Sequence, residues 1–109
     1  MTEFNLEQGI PTVDEAMTEL KNIINIAKSY KYKVIVIIHG YGSSGAGGKI
    51  RIKAREWLNA QVRGGKIKAA VSGEDFGMFN DDARKIKDSD AETYKYYGAG
   101  NSGITVVAV

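Results

Sequence analysis

The stretch VIVIIHGYGSSGAGGKIR, Val34 to Arg51, decides how the rest of the chain is read. Val34 to Ile38 is β-branched throughout and apolar at every position. Such a run needs cover on both faces, so it reads as a central strand with a parallel partner. The only histidine of the chain, His39, follows directly. Then come Gly40, Gly42, Gly45, Gly47 and Gly48, and after them Lys49 and Arg51 at the start of a helical periodicity. A glycine-rich turn from strand to helix lets backbone N–H groups approach an anion at the positive end of a helix dipole.

Upstream, Phe4-Asn5-Leu6 alternates and is expected to form a first strand. Ile10-Pro11 makes a turn. Thr12-x-x-Glu15 is a capping box, and Val13, Ala16, Met17, Leu20, Ile23, Ile24 and Ala27 recur at helical spacing. The spacing predicts a helix over 13–29. Downstream, Lys49 to Arg63 is predicted helical, with Ile50, Ala54, Trp57, Leu58 and Val62 facing inward and Gly64 as the residue that ends it. Ile67 to Val71 and Ile104 to Val109 read as the last two strands. The segment from Glu74 to Tyr97 is acidic and turn-rich, with a short helix near Asp81 to Ile86. Three uses suggest themselves for it: the tyrosines Tyr94, Tyr96 and Tyr97 cover exposed sheet or bind bases, or the acids fold over the basic helix and shield it.

At 109 residues the chain fits one domain. It has no cysteine, which excludes disulfides, thiolate catalysis and Cys-ligated zinc. The N-terminus MTEFNLEQG lacks an apolar core of signal-peptide type, and the longest apolar run is far too short to span a bilayer. A cytoplasmic protein with no membrane partner is the expectation. The net charge of +2 says less than its distribution. From Lys49 to Lys68, Lys49, Arg51, Lys53, Arg55, Arg63, Lys66 and Lys68 stand against the single acid Glu56. A basic block beside a glycine loop is the footprint of a phosphate-bearing partner, although a solvated helix face gives the same pattern.

Three readings of the loop stay open on the residues alone. Gly40-x-Gly42-x-x-Gly45 has the form of a dinucleotide turn, with Glu74 as a distant ribose acid, but the chain has no room for a two-halved dinucleotide fold. The loop can be a tight turn, with His39 satisfied internally. Or it can hold a nucleic-acid backbone, since open α/β sheets place ligands at the carboxyl ends of their strands.

The combination VIIHGYGSSGAGGKIR, TVDEAMTEL before it and GNSGITVVAV at the end resembles the Smr (small MutS-related) domain family. His39-Gly40-Tyr41-Gly42 matches its H-G-x-G element and Ile50-Arg51 its helix-opening pair. Gly100, Gly103 and Thr105 approximate its terminal glycine turn and strand. The resemblance implies an α/β fold, a β-α-β-α-β-β two-layer sandwich. In it a mixed four-stranded sheet carries two helices, similar to the C-terminal domain of translation initiation factor three. The 74–97 segment would be a divergent acidic loop or insertion. It also implies nucleic-acid binding, DNA or RNA, with nicking endonuclease activity in several members. Many members carry L-D-L-H-G on the first strand. Here the region is Phe4-Asn5-Leu6-Glu7-Gln8-Gly9, without that histidine.

The expected catalytic groups are therefore His39 as acid/base, and Glu7 in the place of the lost motif. A divalent metal is the cofactor a nuclease would need, but no carboxylate cluster stands out in the sequence to hold one. The expected phosphate-contacting set is Gly40, Tyr41, Gly42, Ser43, Ser44, Gly45, Gly47, Gly48, Lys49, Arg51, Lys53 and Arg55. A binding module without catalysis and a small nucleotide or phosphate binder are the alternatives.

Overall fold

The structure, a computed structural model, describes residues 1–41 and 47–109. Strand β1 (Thr2–Asn5) leads to helix α1 (Val13–Ser29), strand β2 (Val34–Ile38), helix α2 (Gly47–Arg63) and strand β3 (Ala69–Ser72). A 3₁₀ turn at Gly73–Asp75, helix α3 (Asp81–Ser89) and a 3₁₀ helix at Ala91–Tyr96 precede strand β4 (Ile104–Ala108). The sheet runs β1-β2-β4-β3. Strand β2 pairs parallel with β1 and antiparallel with β4, and β3 pairs antiparallel with β4. The fully apolar run is thus a central strand with one parallel neighbour, as its composition requires.

Alternation along β2 distributes its side chains between two cores. Ile35 and Ile37 point to α1 and α2, where Leu20, Ile23, Ile24, Ile50, Ala54 and Leu58 join them. Val34 and Val36 point to the opposite face, with Val71, Phe76, Ala83, Ile86, Ile104 and Val106. Burial of each such large side chain contributes about 1.5–3 kcal/mol. The capping box of α1 is present in full: Glu15 N donates to Thr12 Oγ1 at 3.1 Å, and Thr12 N donates to Glu15 Oε1 at 2.9 Å.

Of the 74–97 segment, Glu74 alone among the described acids pairs with a cation of the basic helix, at Arg55. The rest folds onto the second face of the sheet and adds a third layer to the expected sandwich of sheet and two helices. Asn80 caps α3 by accepting from Ala83 N at 2.9 Å. Ala83 and Ile86 bury on the sheet, and Tyr96 and Tyr97 pack against that core. Tyr96 Oη donates to Glu3 Oε1 at 2.8 Å, which ties the layer to the β1 edge. The tyrosines that cover the sheet are Tyr96 and Tyr97, whereas Tyr94 is 70% exposed.

The end of α2 also differs from expectation. Lys66 N donates to Gln61 O at 2.9 Å and Gly65 N to Val62 O at 3.0 Å, with Gly65 at φ +71°. This is a Schellman motif, and its left-handed residue is Gly65 rather than Gly64. No described helix is long and apolar enough to cross a membrane.

Candidate nucleic-acid interface

The carboxyl end of β2 meets the turn before β4. His39 N and Gly40 N both donate to Gly103 O, at 3.0 and 2.9 Å. Gly103 N donates to Asn101 Oδ1 at 2.9 Å, so the Asn101 side chain shapes the turn that receives β2. From the helix side Arg55 reaches the same turn, donating from Nη2 to Ser102 O at 3.1 Å and to Ile104 O at 3.2 Å.

A polar chain runs through this junction. The Arg55 guanidinium grips Glu74 with two bonds, Nη1 to Oε2 at 3.0 Å and Nη2 to Oε1 at 2.7 Å. Its Nε donates to Thr105 Oγ1 at 3.3 Å. Thr105 Oγ1 lies 2.9 Å from His39 Nε2, and His39 Nδ1 lies 3.0 Å from Gly40 O. A carbonyl only accepts, so Nδ1 carries the imidazole proton and Nε2 accepts the Thr105 hydroxyl proton. His39 and Thr105 are buried, at 0% and 2% exposure. Burial pushes the His39 pKa down, helped by the cations Arg55 and Arg51 against the Gly40 carbonyl and Glu74, to about 4. Burial, the largest single influence, would raise the Glu74 carboxyl, but the Arg55 fork, the Glu74 backbone amide and the Arg51 charge together hold it below the usual range.

His39 therefore does not line an open pocket in this conformation. It is neutral at pH 7, and its free lone pair is occupied by Thr105. The expected acid/base role finds no exposed nitrogen here. Arg55, expected on a phosphate, is spent on Glu74, Thr105 and the 102–104 turn. Glu74, considered as a ribose acid, is its partner. Glu7 does come to the junction: a side chain added at Gly40, whose φ is +75°, would collide with the Glu7 carboxylate. Glu7 is exposed. Among the described residues no three His, Asp or Glu side chains gather to hold a metal ion.

The other expected contacts divide over α2. Lys49 and Lys53 are exposed and share a face at i, i+4. Arg51, half-buried, shares a different face with Arg55 and sits near enough to His39 and Glu74 to lower the pKa of both. Gly48 is half-buried in the first turn, which Gly47 opens, and Tyr41 is 61% exposed just before the loop. Gly42, Ser43, Ser44 and Gly45 lie outside the described residues. The first turn of α2 has no acid, whereas α1 begins with Asp14 and Glu15 and α3 with Asp81 and Asp82.

Asn101 and Ser102 have no part in the sequence reading, and Thr105 enters it only as a match to the terminal turn and strand. Thr105 had a signal: a hydroxyl in the apolar strand ITVVAV, on the face of Val107, must find a buried partner.

Comparison with known proteins follows the same lines. No curated protein sequence matches the chain. Among solved structures, the Smr domain of Thermus thermophilus MutS2 superimposes with a TM-score of 0.61 at 22% identity. The match covers 99% of this chain and 96% of that one, and at this identity it shows a shared fold. Residues 8–75 match the sequence pattern of the Smr domain, and this is more than half of the chain. With strand β2, its H-G-x-G end and helix α2 all inside the matched residues, the chain belongs to the Smr domain family.

Proposed function

We propose that this domain binds nucleic acid by its sugar-phosphate backbone, DNA or RNA, at the junction of β2 and α2. The observation that carries the reading is the reversed charge at the start of α2. Acids near a helix N-terminus are stabilising and cations are not. Both other α-helices follow that rule, and α2 breaks it: its first turn has no acid and carries Lys49, with Arg51 just beyond. Cations held against the dipole, beside exposed Tyr41 and a glycine segment, are suited to a phosphate partner. The polar chain from Glu74 to Gly40 ties the carboxyl end of β2 to α2 and to the turn before β4. Contacts of this kind fix position with little base readout.

The test is binding of labelled single- and double-stranded DNA and RNA over a range of salt. Affinity should fall steeply with salt. Lys49→Ala with Lys53→Ala should weaken binding and flatten the dependence by about 0.9 for each duplex phosphate no longer neutralised. Absence of binding to all four at low salt rejects the reading.

Phosphodiester cleavage is a second reading, favoured by the Glu7 carboxylate beside Gly40. Glu7 is an exposed group placed to take a proton from an attacking water, whereas His39 supports the junction from inside. A nicking assay on supercoiled plasmid and structured RNA, with Glu7→Gln beside the wild type, decides it. Cleavage that Glu7→Gln abolishes supports the role, and wild type without cleavage leaves a binding module.

A further inference from the structure

At the other pole of the sheet, where β2 begins, a second group of cations gathers that the glycine loop does not involve. Lys28 and Lys31 come from the end of α1, Lys33 from the approach to β2, and Lys66 and Lys68 from the connection between α2 and β3. Together with Tyr32 they line a cleft of about 370 Å³. No Asp or Glu side chain lines it, and among the described residues none of the five ammonium groups pairs with a carboxylate. All five lysines are exposed.

We infer that this cleft is a second polyanion-binding surface, one that takes phosphates of the nucleic acid whose backbone also runs over the β2–α2 junction. The identity of the polyanion rests on the function proposed above, but the surface itself does not. Three independent observations carry it. First, five like charges from three chain segments repel one another. The carboxyl ends of α1 and α2 favour Lys28, Lys31 and Lys66, but do not account for Lys33 and Lys68 beside the strands.

Second, Lys31 occupies a position that favours glycine. Tyr32 N donates to Ala27 O at 2.9 Å and Lys31 N to Lys28 O at 3.2 Å, with Lys31 at φ +58°. This is the Schellman motif that ends α2 as well, and there Gly65 fills the left-handed position. A lysine kept where glycine is less strained points to a use for its side chain.

Third, the rings of Tyr30 and Tyr32 stack with centroids 5.9 Å apart, and Tyr30 is 70% exposed beside the lysines. An exposed aromatic face next to cations is what an unpaired base needs for stacking. The two poles are spaced for one ligand. Lys33 and His39 lie six residues apart on an extended strand, about 20 Å at roughly 3.3 Å per residue. This is about six phosphates along one strand of a duplex.

The experiment compares the wild type, the combined variant Lys31→Ala, Lys33→Ala, Lys66→Ala, Lys68→Ala, and the loop variant Lys49→Ala, Lys53→Ala. Each is titrated against labelled single-stranded and duplex oligonucleotides at several salt concentrations, with its fold checked by circular dichroism. A milder variant, Lys31→Gln with Lys68→Gln, serves if the fourfold one fails to fold. The inference expects the fourfold variant to lose at least about tenfold in affinity at low salt and about 2 or more in salt slope, and the milder one about half that slope. Binding equal to wild type in the cleft variants overturns it. If only the cleft variants lose affinity, the cleft stands as a nucleic-acid surface, whereas the proposed role of the junction, and with it the backbone shared between the two, falls. If the wild type binds no oligonucleotide at low salt, both readings fall.

Discussion

Thr105 Oγ1 stands 2.9 Å from His39 Nε2, across 66 residues of sequence, and joins the imidazole to a guanidinium it does not touch. The hydroxyl accepts from Arg55 and gives its own proton to His39. With the tautomer set by the Gly40 carbonyl, this single buried oxygen satisfies the remaining ring nitrogen and anchors the helix that carries the basic block to the last strand.

Thr105→Val keeps the shape and deletes the hydroxyl. It leaves a ring nitrogen and an Arg55 N–H without their partner in a buried site, and it should cost about 1–3 kcal/mol. Thr105→Ser should retain most of the stability, since it retains the oxygen. Urea unfolding at pH 7 measures both, and equal stability of valine and threonine would show that the network does not hold the junction.

The buried imidazole predicts acid sensitivity. Its folded pKa, about 4, lies below the ordinary 6.5, so between these values the unfolded chain binds a proton that the folded one refuses. The contribution is complete above about pH 6.5 and is lost as the pH falls toward 4. Between pH 6.5 and 5.5, above the range in which carboxylates titrate, stability should drop by about 1 kcal/mol. His39→Gln should flatten that slope whatever its own stability, and an unchanged slope would place the imidazole elsewhere.

Gly73 lies against the turn that receives β2. A Cβ there would overlap the Asn101 carbonyl oxygen and crowd Ile104 Cγ1, and the turn is held by Arg55 and cannot withdraw cheaply. Gly73→Ala should destabilise by about 2–3 kcal/mol. Gly64→Ala is the control: its Cβ would sit 3.4 Å from Ala60 O, in ordinary contact, and it should be neutral or stabilising by up to about 1 kcal/mol. Thermal melts of the pair check the contrast.

Lys31→Gly tests whether the left-handed lysine is strained. The variant should gain about 0.5–1 kcal/mol in denaturant unfolding. A loss of stability would mean that the lysine supports the fold through its side chain.

Much of this protein could be read along the chain because the signals are local. The T-x-x-E box, the stripe from Ala16 to Ala27 and the β-branched run at Val34 to Ile38 depend on neighbours a few residues away, and each appears where those neighbours put it. The motif residues around His39 and Ile50-Arg51 likewise point to the family by their order and spacing alone. The acidic segment is harder, since its apolar residues Phe76, Ala83 and Ile86 are sparse and acquire a face only against the sheet.

What folding alone decided is which charges remain available. Arg55 and Lys53 are both cations on one helix, and nothing local separates them. The turn at Ser102 to Ile104 and the carboxylate of Glu74 claim the first and leave the second in water. In the same way His39 became an internal support because β4 brought a hydroxyl to it, and five lysines from three segments became one surface because the start of β2 gathers them. Helices and strands answer to residues close in sequence, whereas the burial and pairing of a charge answer to whatever the folded chain sets beside it.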